Sequence, residues 1–124
     1  MAHYMVAADV LVTKAGPGTI SEAAAVGLPV MLTSFLPGQE AGNVEVVLES
    51  GFGDFCKKPT EIAARVASWL DDEDKMVQMS KNSQMMGHPD AASEIVLDIG
   101  DITQTYMDLN GKRRSILSSA RKKR

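Results

Sequence analysis

Cysteine and aromatic residues are scarce in this chain, and each shortage narrows what it can be. Cys56 stands alone, so neither an internal disulfide nor a cysteine metal cluster can be built. Phe, Trp and Tyr make up only 5% of the residues, which leaves aliphatic side chains, Ala and Met to form the core. No apolar run approaches the roughly eighteen residues of a membrane span, and no charged leader followed by an apolar block opens the chain. A soluble or peripheral protein is expected. Basic residues are scarce too, outside one place: seven of the thirteen Lys and Arg fall between Lys112 and Arg124. Residues 1–110 are left with six basic against sixteen acidic residues, a balance of −10. So acidic a body argues against a nucleic-acid binder, which needs a basic face to displace counterions from phosphates.

What is present reads as alternating strands and helices. Residues 2–7 end a helix, and "DVLVT" (9–13) is a continuous apolar run of the kind a fully buried parallel strand shows. A helix over 18–26 follows, with Gly27 at its left-handed end and Pro29 just beyond. "PVMLT" (29–33) is the second strand, 42–50 a short helix closed by Gly51, and "GFGDFC" (51–56) a brief third strand. Pro59 opens a helix with Ile62, Val66, Trp69 and Leu70 on one face, and "DDED" (71–74) starts another. The last helix spans 91–109, with Ile95, Ile99, Ile102, Tyr106 and Leu109 three or four apart, although Gly100 weakens it by about 1 kcal/mol. Such an order implies a parallel sheet with right-handed crossovers. A doubly wound sheet usually has more than three strands, so the sequence reads as the C-terminal part of a Rossmann-like domain.

The stretch "TKAGPGTISEAAAVGLP" (13–29) leads from the first strand into the second helix, the place where open α/β sheets bind ligands. Gly16 and Gly18 allow a close backbone approach, Pro17 lies between them, and the N–H groups of Thr19, Ile20 and Ser21 are expected to face the loop's hollow. That is an anion site, suited to a phosphate or diphosphate, with the Thr19 hydroxyl and Lys14 as further contacts. Glu22 would be repelled by such an anion. It either accepts two hydrogen bonds from a ribose diol or completes an S/T-x-x-E capping box with Thr19, and the two readings stand level. On the next strand's loop, "PGQEAGN" (37–43) carries Gln39, Glu40 and Asn43, a set of donors and acceptors fitted to a ligand rich in hydroxyls. A polar turn before a helix explains that loop by itself. Two such loops on neighbouring strands favour one ligand spanning both.

From Asp9 to Asn43 the sequence closely resembles the donor-binding region of the monogalactosyldiacylglycerol synthases, plastid glycosyltransferases of family 28. The pair "TKAGPGTI" and "PGQE" with "GN" carries the resemblance, which runs on more weakly to about Leu109. It implies an α/β fold, a partial Rossmann-like parallel sheet with flanking helices that forms the C-terminal domain of a GT-B glycosyltransferase. It also implies transfer of galactose from UDP-galactose to diacylglycerol with inversion, without metal or other cofactor. Gly16, Pro17, Gly18 and Thr19 would then hold the diphosphate, with Lys14 nearby, Glu22 would take the ribose hydroxyls, and Gln39 and Glu40 would contact galactose beside Asn43.

The resemblance also implies that the general base, a His in a glycine-rich segment, belongs to an N-terminal domain. His3 and His88 match neither its position nor its surroundings, so no catalytic residue is expected in this chain, and both histidines are expected in solvent. Residues 1–110 are read as the UDP-sugar-binding domain, incomplete at its N-terminus. Residues 111–124, "GKRRSILSSARKKR", are read as a basic, disordered tail with a possible attraction to anionic membrane lipids. A peripheral location on a plastid membrane follows from the resemblance alone. The alternatives are a related UDP-sugar transferase with another lipid acceptor, or a UDP-binding module without catalysis.

Overall fold

A computed structural model describes the backbone of residues 2–122 and the surroundings of the side chains of residues 3–112. The elements are α1 (Ala2–Val6), β1 (Leu11–Thr13), α2 (Pro17–Ala25), β2 (Val30–Leu32), α3 (Ala41–Ser50), β3 (Gly53–Phe55), α4 (Pro59–Leu70), α5 (Glu73–Met86) and α6 (Ala91–Lys122). The three strands form a parallel sheet in the order β1-β2-β3, with Val12 opposite Met31 and Met31 opposite Asp54. This is the expected mixed α/β class.

Why β2 is central follows from its side chains. Val30, Met31 and Leu32 are all fully buried, and a strand's side chains alternate between the two faces. Val30 and Leu32 join Met5, Ala15, Ile20, Ala23, Leu28, Val44, Val47 and Phe52 on the side of α2 and α3. Met31 joins Cys56, Trp69 and Met79 on the side of α4 and α5. Both faces of the sheet are therefore covered, as a continuous apolar strand requires. β1 corrects the expectation of a fully buried strand: it is an edge strand of the described sheet, and Val12 is half exposed. Leu70 likewise turns out to solvent while Trp69 is buried, so the apolar face of α4 is narrower than the spacing implied.

Helix ends fall where cap chemistry places them. Gly27 and Gly51 both take positive φ, 72° and 70°, and let α2 and α3 stop sharply. Pro59 opens α4, and the Asp72 carboxylate accepts the Lys75 N–H at 3.0 Å to start α5. α5 then ties down both glycine turns. Its Ser80 and Ser83 hydroxyls donate to the carbonyls of Gly27 and Leu28, and its Asn82 amide donates to that of Gly51.

Among the described residues, compact packing runs as far as Pro89, and a second unit begins at Asp90. α6 is the reason. It continues to Lys122 as one helix instead of ending at Leu109 before a disordered tail, because Gly100 and Gly111 weaken a helix without removing a backbone donor. Contacts four residues apart support its middle, with Gln104 bonded to Asp108 and Asn110 to the Tyr106 carbonyl. Ile95, Ile99, Ile102, Tyr106 and Leu109 are exposed along it. No helix among the described residues is long and apolar enough to cross a membrane. The expected attraction of the tail to anionic lipids rests on side chains beyond Lys112, outside those described.

Candidate functional site

Because the strands are parallel, the loops after β1 and β2 emerge on one rim of the sheet. The first loop is short. Gly16 is the N-cap of α2, in an extended conformation, Pro17 is the first helical residue, and no side chain caps the helix. Proline suits that position because the N–H it lacks would have had no helical partner. Gly18 and Thr19 come next, at the second and third positions, where backbone N–H groups have no acceptor within the helix.

This placement settles one of the two readings of Glu22. A capping box needs Thr19 at the N-cap, and Thr19 lies three residues further in, so the box does not form. Glu22 is instead an exposed residue on the second turn of α2. The same geometry corrects the expected donor set. The Ile20 N–H is bonded to the Gly16 carbonyl at 3.1 Å and Ser21 lies deeper in the helix, so the free donors at the hollow are those of Gly18 and Thr19.

The two rim loops are bound to each other. Lys14 Nζ donates to Glu40 Oε1 at 2.9 Å, and the Leu36 N–H donates to Glu40 Oε2 at 2.8 Å. Asn43, in the first turn of α3, donates its side-chain N–H to the Ala15 carbonyl at 2.9 Å. Backbone bonds from Ala15 to Ser34 and from Thr33 to Thr13 close the joint, and the Thr33 hydroxyl donates to Thr13 as well. Gly38, at φ 80°, turns the second loop back so that Glu40 reaches inward. Glu40 is buried whereas Gln39 beside it is exposed.

Glu40 is the charged centre of the arrangement. The bond from Lys14, and next the bond from the Leu36 N–H, hold its carboxyl below the ordinary value of 4.5, against the opposing effect of burial. A carboxyl with a depressed pKa contributes stability above its unfolded value and loses it as pH falls through the folded one. The Leu36 amide resonance is therefore expected to titrate with a midpoint below 4.5. A midpoint at or above 4.5 in a pH series of NMR spectra would show that the pair does not hold in solution.

Of the residues singled out in sequence, the structure brings Lys14, Gly16, Glu40 and Asn43 together and sets Pro17, Gly18 and Thr19 at the adjoining helix start. Glu22 and Gln39 have no side-chain hydrogen bond to another described residue. Pro17 and Asn43 also border a depression of about 180 Å³ between α2 and α3, with Ile20, Val46 and Phe52 in its wall. Sequence reasoning missed that Asn43 is occupied by a backbone carbonyl, since an amide's partner 28 residues away leaves no local trace. It also missed a third element of the rim. Phe35 and Phe55 stand 5.6 Å apart, with the Lys57 ammonium 5.6 and 5.8 Å from their ring centres. "DFCKKPTE" (54–61) held the signal, an aromatic that ends a strand with two cations just beyond it. His3, on α1, and His88, after α5, are both exposed and away from these loops in the chain.

Residues 1–95 match the model of the glycosyltransferase family 28 C-terminal domain. The chain belongs to that family. Monogalactosyldiacylglycerol synthase 3, chloroplastic, of Arabidopsis thaliana is 43% identical over 105 residues, 84% of this chain and 23% of the relative. A probable monogalactosyldiacylglycerol synthase, chloroplastic, of Glycine max is 45% identical over 105 residues, 84% of this chain and 20% of its own length. This family 28 chain thus spans about a quarter or less of the curated relatives it matches. Among solved structures, the glycotransferase of kitacinnamycin superposes with a TM-score of 0.57 at 20% identity, covering 78% of this chain and 27% of that one. That likeness speaks to the fold, and it agrees with the partial Rossmann-like sheet expected of a GT-B C-terminal domain.

Proposed function

We propose that this chain supplies the nucleotide-sugar site of a galactosyltransferase that moves galactose from UDP-galactose to diacylglycerol. The observation that carries this reading is the joined pair of rim loops at the start of α2, in a family 28 domain whose relatives are named for that lipid product. The donor's diphosphate lies against the N–H groups of Gly18 and Thr19, with the Gly16-Pro17 turn beneath it and the Lys14 ammonium beside it. Helix dipole, free donors and cation all favour negative charge there. They favour it more as UDP leaves, when charge builds on the β-phosphate, so the site stabilises the leaving group without a metal. Glu22, free of a capping role and exposed on the next turn, accepts from the ribose hydroxyls. Gln39 and Glu40 meet the galactose, and Asn43 fixes the first loop against the second through Ala15.

Neither His3 nor His88 is assigned the proton transfer from the acceptor hydroxyl. That base, and the diacylglycerol site, are assigned to a partner domain. The relatives named chloroplastic support a plastid location, and we assign the enzyme to a membrane surface there because its proposed acceptor is a lipid.

The test is a titration of the isotope-labelled 124-residue chain with UDP and UDP-galactose, followed by NMR. Glu22→Ala is expected to weaken UDP binding at least about tenfold, the size of one lost charge-assisted hydrogen bond. Equal affinity in the variant removes Glu22 from the site, and a folded chain indifferent to UDP refutes the reading. A competition series against other UDP-sugars reads out the preference for galactose.

A further inference from the structure

The Lys14–Glu40 pair is built unevenly. The Lys14 side chain is 65% exposed, whereas that of Glu40 is 9% exposed and anchored through its second oxygen by the Leu36 N–H. The cation can leave and the carboxylate cannot. The pair also lies directly over the N-cap of α2: a Cβ on Gly16 would stand 3.6 Å from Lys14 Cε, 3.8 Å from Nζ and 3.9 Å from Glu40 Oε1. A diphosphate drawn to the free donors of Gly18 and Thr19 arrives beside a carboxylate that repels it and an ammonium that attracts it.

We propose that Lys14 and Glu40 form an exchangeable ion pair that couples the diphosphate end of the donor to its sugar end. This rests on the donor-site reading above and goes further, because it gives both residues a role before the donor arrives. A diphosphate carries more negative charge than one carboxylate and presents several acceptors to an ammonium on a flexible four-carbon stem. It draws Nζ off Glu40 Oε1. A poorly hydrated carboxylate left without its cation is costly, and a hydroxyl of the sugar, donating to the vacated oxygen, restores a partner. UDP alone thus bears the cost of breaking the pair, and UDP-galactose recovers it. The sugar's contribution to affinity is conditional on the diphosphate having taken the lysine.

The experiment measures dissociation constants of UDP and UDP-galactose for the full 124-residue chain, Glu40→Gln and Lys14→Met, by calorimetry or NMR titration. Glutamine keeps an acceptor for the Leu36 N–H but releases the lysine. The expected result is that Glu40→Gln binds UDP three- to tenfold more tightly than the unaltered chain, while the advantage of UDP-galactose over UDP shrinks. A static brace would give the reverse sign: UDP binding unchanged or weaker in Glu40→Gln, which overturns the proposal. Lys14→Met is the second arm, and stands even where the glutamine variant does not fold. It is expected to bind UDP about tenfold more weakly and to lose most of the salt dependence of binding; unchanged affinity overturns the proposal. If the unaltered chain is folded and UDP does not bind it, the donor-site reading falls and the ion-pair proposal falls with it. Tight binding of UDP with no gain in Glu40→Gln sinks the exchange alone.

Discussion

Gly53→Ala is expected to destabilise the compact unit by about 3 kcal/mol, a large share of the roughly 5–15 kcal/mol by which a domain is ordinarily stable. Gly53 lies opposite Val30 in the β2–β3 pairing. A Cβ there would stand 2.2 Å from the Val30 carbonyl oxygen, 2.5 Å from Val47 Cγ1 and 2.8 Å from Val30 Cγ2. The nearest of these atoms is backbone, so no rotamer change relieves the clash. β3 must move away from β2, and the core between the sheet and α3 opens with it. The control is Gly42→Ala: a Cβ at Gly42 meets nothing within 4 Å, on the first turn of a helix, where alanine is the better helix former. Urea unfolding followed by circular dichroism should show a large drop in midpoint for the first variant and none for the second. A Gly53→Ala midpoint within experimental error of the unaltered chain would mean that this strand pairing is wrong.

The second expectation separates stability from binding. Gly18→Ala should leave the fold intact, or stabilise it by about 0.5 kcal/mol, yet weaken UDP binding about a hundredfold. Gly18 is exposed in the first turn of α2, and a Cβ there meets no atom within 4 Å. Neither helix geometry nor packing asks for glycine at this point. A methyl group would stand in open space at the start of α2, where the proposed diphosphate approaches the Gly18 and Thr19 N–H groups. A thermal melt and a UDP titration on the same sample check both halves. Full UDP affinity in Gly18→Ala would move the anion away from the start of α2, even if UDP binds elsewhere on the chain. A large loss of stability would instead give Gly18 a packing role that its open surroundings do not reveal.

Local signals carried far where the physics is local. Gly27 and Gly51 marked helix ends because only a residue without Cβ takes φ near 70° at no cost, and Pro59 marked a helix start because its missing N–H is not needed there. "PVMLT" was legible as a strand, but its central place was not: the full burial expected of "DVLVT" belongs to Val30, Met31 and Leu32, which have a strand on either side. The capping box was not decidable from Thr19 and Glu22. Their spacing is the same whether the helix begins at Gly16 or Thr19, and the turn at Gly16 and Pro17 makes the choice.

By itself, then, the sequence determined the order of strands and helices, the family, and the two loops that meet on one rim, because periodicity, turn residues and motif spacing are properties of neighbours in the chain. Tertiary structure alone decided what those loop residues do to each other. Glu40 is buried and paired with Lys14 across 26 positions, Asn43 is spent on the Ala15 carbonyl, and Lys57 stands over Phe35 and Phe55. Partners so distant in sequence are set by the parallel register of β1, β2 and β3, and their charges and hydrogen bonds acquire strength only once the sheet has excluded water between them.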